Sequence, residues 1–380
     1  LPEGALADAP PLSRKESTEY RKLASELLGR KTAQGVLSFE APTLLAKSAQ
    51  LNLFLPKGYP PKKRGPLLLF LHGSWTSCEK AAKHLKPVVD LNETLVCLVD
   101  SERAREDSLG WNDWPEFASA ITALRTLSLD YAVDTSRVTL WGHSNGAGGN
   151  YNVLEAFPDR FAGIASFASV MRHDSQLNVQ AFCGKPVFIW QGEKDPNETS
   201  LVDRARAFKD FLLEKKLRVT YVEEPGAKHL PTESAVLKAW ACLKGESCPR
   251  NPRTLDFRGY RQGVRKVPSR EAAEEDQRHA APGRHHWVAV ERTAKSGGLC
   301  FTVEGRIEKN AVILKTEGVS RLTLHLNDAL LDLDKPVTVT LNGKPAFEGT
   351  PERSLATLAA EILELGDAEA AADAVLGLEP

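Results

Sequence analysis

The stretch Val138-Thr-Leu-Trp-Gly-His-Ser-Asn-Gly-Ala-Gly-Gly-Asn150 decides how the rest of the chain is read. A β-branched and apolar run leads into Gly142-His143-Ser144-Asn145-Gly146, and a helix-compatible run follows. That is the G-x-S-x-G pattern, in which a serine sits on a sharp strand-to-helix turn. The turn brings backbone against backbone, so Gly142 and Gly146 stand where a Cβ would collide. It pushes a hydroxyl into the open at the N-terminal end of a helix, whose N–H groups favour negative charge. The spacing predicts a buried strand over residues 137–141 and a helix over residues 145–157.

Outward from this stretch, apolar runs alternate with helical ones. Pro66-Leu-Leu-Leu-Phe-Leu-His-Gly73 is a continuous apolar run, as expected for a parallel strand covered on both faces. Further strands are expected at residues 94–100, 161–167, 186–192 and 218–223, with helices at 117–131, 201–217 and 234–243. This alternation predicts an α/β domain with a mainly parallel sheet, over residues 36–245. Alternating positions Leu51, Leu53 and Leu55 add antiparallel strands at its start. Ahead of it, residues 1–35 hold a helix with Tyr20, Leu23, Ala24, Leu27 and Leu28 at helical spacing, read as packing on the main domain.

After a Pro- and Arg-rich linker the texture changes. Short alternating runs and the Asn342-Gly343 hairpin signal predict a small antiparallel β domain over residues 253–350. Residues 351–380, rich in Ala, Leu and Glu, are read as a helical tail.

Two domains suit 380 residues, since single cores rarely exceed about 250–300. A formal net charge of −1 points to no polyanionic partner, and no basic, aromatic-interleaved face suggests nucleic acid. No apolar run approaches the ~20 residues of a membrane span. The single methionine is Met171 and residue 1 is leucine, which fits a removed leader and a secreted or periplasmic enzyme. Among the six cysteines, Cys242 and Cys248 are close enough to close a small loop, while Cys97 reads as a buried thiol.

A serine hydroxyl needs a base, and the base needs an acid to hold its tautomer. The expected acid is Asp195, just past an apolar strand, with Glu193 and Asp174 as alternatives. The expected base is His229, between the last strand and the last helix of the α/β domain. The oxyanion donors are expected at the amides of Asn145, directly after the serine, and Ser74, after the first central strand. His72 reads as structural. Trp75, Trp111 and Trp114, with His143, are candidate substrate-binding residues; the tryptophans alternatively only pack loops down. His279, His285 and His286 lack a fourth ligand at zinc spacing and read as solvent-exposed, so no metal is expected.

Together, Leu71-His-Gly, Gly-His-Ser-Asn-Gly, Gly-Glu-Lys-Asp and Lys-His resemble the α/β-hydrolase superfamily. The likeness covers residues 45–243 and is nearest the polyhydroxybutyrate-depolymerase, feruloyl-esterase and prolyl-oligopeptidase-like branch. The resemblance implies an α/β-hydrolase fold and a serine hydrolase that passes through an acyl-enzyme without a cofactor, acting on a small or polymeric carboxylic ester. Alternatives are a serine peptidase, a polyester or cell-wall esterase using the β domain as a binding module, and a catalytically silent scaffold.

Overall fold

The computed structural model describes residues 9–42, 48–60, 63–101, 111, 114–170, 178–196, 199–260, 283–293 and 299–380. Its contacts divide the chain into two units: Leu28–Cys248, and Leu1–Leu27 together with Pro249–Pro380. The first helix, α1 (Arg14–Leu27), therefore belongs with the C-terminal residues and not with the α/β unit, contrary to the sequence reading.

In the unit Leu28–Cys248, eight strands form one sheet: β1 (Val36–Pro42), β2 (Ser48–Phe54), β3 (Gly65–Leu71), β4 (Leu95–Val99), β5 (Val133–His143), β6 (Gly163–Phe167), β7 (Pro186–Gly192) and β8 (Arg218–Glu224). They lie in the order β1-β2-β4-β3-β5-β6-β7-β8. Only β1 with β2 and β2 with β4 pair antiparallel; every pair from β4 to β8 is parallel. The apolar runs are continuous because both faces are covered. Leu67, Leu69 and Leu71 of β3 enter one core with residues of α3 (Trp114–Asp130), α4 (Asn145–Ala156) and α5 (Thr199–Glu214). Leu68 and Phe70 enter the other, under α2 (Cys78–Leu91) and α6 (Glu233–Leu243). This strand order and these crossovers make the α/β-hydrolase fold. The order reverses between β4-β3 and β5, and open α/β sheets bind ligands at such a switch point, beyond the strands' C-terminal ends.

In the other unit, two sheets share one apolar core. One has the order β16-β15-β13-β12-β9 and the other β10-β11-β14-β17. The strands are β9 (Thr254–Tyr260), β10 (Arg284–His285), β11 (Val288–Thr293), β12 (Leu299–Glu308), β13 (Ala311–Glu317), β14 (Val319–Leu326), β15 (Val337–Leu341), β16 (Lys344–Gly349) and β17 (Ala374–Leu378). The sheet is not purely antiparallel, since β13 runs parallel to β15. Nor is the tail all helical. Helix α7 (Leu355–Leu365) is capped by the Ser354 hydroxyl and ends at Gly366 with φ 62°, after which β17 pairs with β14. An Ala-rich run favours helix locally, but an unpaired neighbouring strand overrides that preference.

Helix α1 is held to this unit by its polar side. Arg21 pairs with the buried Asp373 at 2.7 Å, the Ser17 hydroxyl also donates to Asp373, and Arg14 pairs with Asp328 at 3.1 Å and Asp334 at 2.9 Å. Tyr20, Leu23 and Leu27, the apolar stripe expected to bury, are exposed.

Cys242 and Cys248 do not bridge. Cys242 faces the Thr220 hydroxyl on β8, whereas the Cys248 amide bonds to the Ser136 carbonyl on β5 at 2.7 Å. Three strand positions separate β5 from β8, so the connecting loop carries the two thiols apart. Cys97 is fully buried, which pushes its thiol pKa well up. Among the described residues, no helix is long and apolar enough to cross a membrane.

Candidate active site

Ser144 follows β5 without a spacer and adopts φ 54°, ψ −120°. A non-glycine residue held there costs about 1–3 kcal/mol and persists only where its surroundings over-determine it. Here they do. The Ser144 N–H bonds to the Phe167 carbonyl at 2.8 Å, and the Ser144 carbonyl accepts from Gly148 N–H at 3.2 Å. A Cβ on Gly142 would stand 2.3 Å from the Gly146 oxygen, and one on Gly146 would stand 2.1 Å from the Leu71 oxygen. Both glycines are therefore required by the turn, which sets the hydroxyl at the positive end of α4.

His229, in the loop between β8 and α6, places Nε2 2.9 Å from the Ser144 Oγ. Its Nδ1 lies 2.7 Å from Oδ2 of Asp195, whose side chain is fully buried. An ionised carboxylate only accepts, so the His229 proton sits on Nδ1 and leaves Nε2 to accept from the serine. The structure thus brings Ser144, His229 and Asp195 into one hydrogen-bonded chain.

Two further residues complete this geometry, and neither was singled out from the sequence for it. Gln191, at the end of β7 and fully buried, donates from Nε2 to the same Asp195 Oδ2 at 3.0 Å. Glu193, considered as an alternative acid, instead accepts the Gly226 N–H at 2.7 Å and so fastens the loop of His229 to the loop of Asp195. The Lys194 N–H to the Ala227 carbonyl, at 2.8 Å, adds a second tie. The signal for Gln191 was its place at a strand end four residues before the acid. Asp174 lies outside the described residues.

The loop after β3 passes directly against the serine. A Cβ on Gly73 would come 3.1 Å from the Ser144 Cβ, and the Asn145 side-chain amide donates to the Ser74 hydroxyl at 3.0 Å. Ser74 and Asn145, the two expected oxyanion donors, are thus adjacent. His72 is fully buried beneath this loop, with Nδ1 2.8 Å from the Gly73 carbonyl and Nε2 2.9 Å from Asp100.

The candidate substrate-binding residues separate. Trp75 is 68% exposed in the turn beyond Ser74. Trp111 is 0% exposed, donates to the His72 carbonyl at 2.9 Å and meets the His72 ring edge-on. It braces the β3 loop and is closed off from solvent. His143 is also buried, and its ring is directed at the base loop. Trp114 opens α3, and its side chain lies outside the described residues.

His285 is buried on β10 against the edge of Phe257, not solvent-exposed as expected. His286 stacks on it, and His279 lies outside the described residues. Among the described residues, no group of three His, Cys, Asp or Glu side chains is arranged to hold a metal.

No protein-family model matches this chain, and no curated protein does. Solved structures similar to it include a thermostable esterase, at 20% identity and a TM-score of 0.46 over 56% of this chain and 63% of that one. An esterase of Pyrobaculum calidifontis is 15% identical, with a TM-score of 0.43 over 61% of this chain and 91% of that one. A puromycin-hydrolysing peptidase of Mycobacterium tuberculosis is also 15% identical, with a TM-score of 0.43 over 54% of this chain and 38% of that one. These likenesses assign no activity to this chain.

Proposed function

We propose that the protein is a serine hydrolase that cleaves carboxylic esters through an acyl-enzyme. The observation that supports this most is the continuous relay from Asp195 through His229 to Ser144, at 2.7 and 2.9 Å, ending on a serine held at positive φ. Nothing in ordinary packing requires a strained serine to meet a histidine whose other nitrogen is tied to a buried carboxylate.

In this reading the Ser144 Oγ attacks the ester carbonyl while His229 Nε2 takes its proton. Asp195 keeps His229 in the Nδ1–H tautomer and stabilises the imidazolium that forms. The developing oxyanion is held by the backbone amides of Asn145 and Ser74, each donor of this kind worth about 2.7–4 kcal/mol. His229 then protonates the departing alcohol, water attacks the acyl-enzyme by the reverse route, and Ser144 is regenerated. Trp75, exposed and directly after Ser74, would contact the substrate. The Cys242–Cys248 bridge that would have supported export is not made.

The test is turnover of p-nitrophenyl esters from acetate to decanoate, by the wild-type protein and by Ser144→Ala. The reading requires turnover that the substitution abolishes, and the chain-length optimum sizes the acyl pocket. A folded protein inactive on every ester, but active on a peptide anilide, would move the assignment to a peptidase.

A further inference from the structure

Ser144 is not the only residue of its turn that touches His229. The preceding residue, His143, has Nε2 2.8 Å from the main-chain carbonyl of His229. A carbonyl oxygen only accepts, so the proton of the His143 ring is on Nε2. The ring is buried, 4.9 Å from the His229 ring and 6.0 Å from that of His84 on α2. Gly73 makes the room: a Cβ there would come 3.2 Å from the His143 Nδ1.

We infer that His143 is a positioning residue for His229, acting by donating its Nε2–H to the His229 carbonyl. The inference rests on the hydrolase reading above. Two consecutive residues of one rigid turn then hold His229 at two points, Ser144 at the ring and His143 at the backbone. The rest of the base loop is tied to the acid loop through Gly226 and Ala227, so those ties fix His229 relative to Asp195. The bond from His143 fixes it relative to the nucleophile. The distance that decides proton transfer is the one between Nε2 and Oγ, and this bond spans the same pair of elements.

The state of the ring suits the task. Burial first, and then the neighbouring His229 ring, hold the His143 pKa down to about 3, against the opposing pull of the hydrogen bond to the His229 carbonyl and then of Asp195. His84, the other titratable ring nearby, is also shifted down, by burial and then by Lys83. His143 therefore stays a neutral donor at working pH and puts no positive charge beside the imidazolium that forms on His229.

The test compares His143→Gln, whose amide reaches about as far as the ring Nε2, with His143→Asn, which falls short, and His143→Phe, which keeps the ring without the donor. Each is assayed with p-nitrophenyl acetate, with a fluorophosphonate probe that labels an activated serine, and by thermal melting. A misplacement of about 1 Å can cost on the order of 100-fold in rate. The expected result is a fall in kcat of about 10- to 100-fold for Asn and Phe, with KM within about twofold and labelling slowed in parallel. His143→Gln should remain within about threefold of the wild type.

Wild-type rates in both Asn and Phe variants would overturn the role of His143 while leaving the hydrolase reading intact. Equal losses in all three, tracking a common fall in melting temperature, would reduce His143 to packing and overturn the inference as well. If Phe fails to fold, the contrast between Gln and Asn decides. A wild-type protein with neither turnover nor labelling would remove both the hydrolase reading and this inference.

Discussion

Gln191 Nε2 lies 3.0 Å from Asp195 Oδ2, the same oxygen that receives His229 Nδ1 at 2.7 Å. The carboxylate is fully buried, and this neighbouring amide, anchored at the end of β7, helps to fix its angle. A second donor on that oxygen limits the orientations in which Asp195 can meet His229.

Removing the donor should loosen the acid without removing it. Gln191→Leu is expected to lower kcat/KM on p-nitrophenyl acetate about tenfold, in line with a bond worth about 1–1.5 kcal/mol. Gln191→Glu sets a second carboxylate against a buried one and should cost on the order of 100-fold or more. Steady-state kinetics, with circular dichroism to confirm folding, checks both. Wild-type rates in Gln191→Leu would show that Asp195 is oriented without it.

Two of the three glycines of α4, Gly146 and Gly148, should behave in opposite ways. A Cβ on Gly146 collides with the Leu71 carbonyl at 2.1 Å, whereas one on Gly148 meets only the Ser169 hydroxyl at 3.8 Å. Gly146→Ala is therefore expected to destabilise by about 3 kcal/mol or more and to abolish activity. Gly148→Ala should be neutral or stabilising by up to about 1 kcal/mol, through helix propensity. Urea titration of the two variants distinguishes them, and similar midpoints would contradict the backbone contact at Gly146.

Strain at Ser144 predicts a gain of stability on losing the side chain in one way only. Ser144→Gly relaxes a φ of 54°, whereas Ser144→Ala keeps the Cβ and the strain. Both should be inactive. The glycine variant should exceed the alanine variant by about 1 kcal/mol, after the larger unfolded-state entropy of glycine is subtracted. Matched melting curves test this, and an alanine variant at least as stable as the glycine one would contradict it.

Acid should unfold the C-terminal unit partly through Glu361. Burial pushes its carboxyl pKa up, but the hydrogen bond from His325 and the Arg284 guanidinium outweigh burial and hold it down to about 2. The carboxylate also accepts the Ala372 amide. A carboxyl depressed in the folded state contributes stability above its unfolded pKa, about 4.3, and that stability is lost as pH falls toward the folded value. Glu361→Gln should therefore lower the melting temperature at pH 7, at a cost of about 3 kcal/mol. Its deficit should shrink as pH falls from about 4.5 to 2. A deficit that stays constant over that window would show that Glu361 does not titrate there.

The elements that set the site were legible because their chemistry is local. Gly142 to Gly146 announce a tight turn by composition, and the both-face burial of β3, β4, β6 and β7 leaves continuous apolar runs. Ser144, Asp195 and His229 stand in strand-end loops in a fixed order, and the structure brings them together. Side-chain direction was not legible. Trp111 and His143 lie close in sequence to site loops, yet one supports the β3 loop and the other the base loop, because burial and bonding depend on neighbours distant in the chain. For the same reason α1 seats through Arg14 and Arg21, whose partners lie some three hundred residues away, and its apolar spacing misled. Residues 374–378 read as helix because a strand with one pairing neighbour carries little signature of its own.

The most direct test of the hydrolase account is covalent trapping of the nucleophile. The wild-type protein is treated with a fluorophosphonate, and the site of attachment is located by tandem mass spectrometry, alongside Ser144→Ala and His229→Ala. A single adduct is predicted on Ser144, absent from the first variant and slowed at least 100-fold in the second. A folded wild-type protein that takes no adduct at Ser144, or takes it equally fast without His229, would contradict the account.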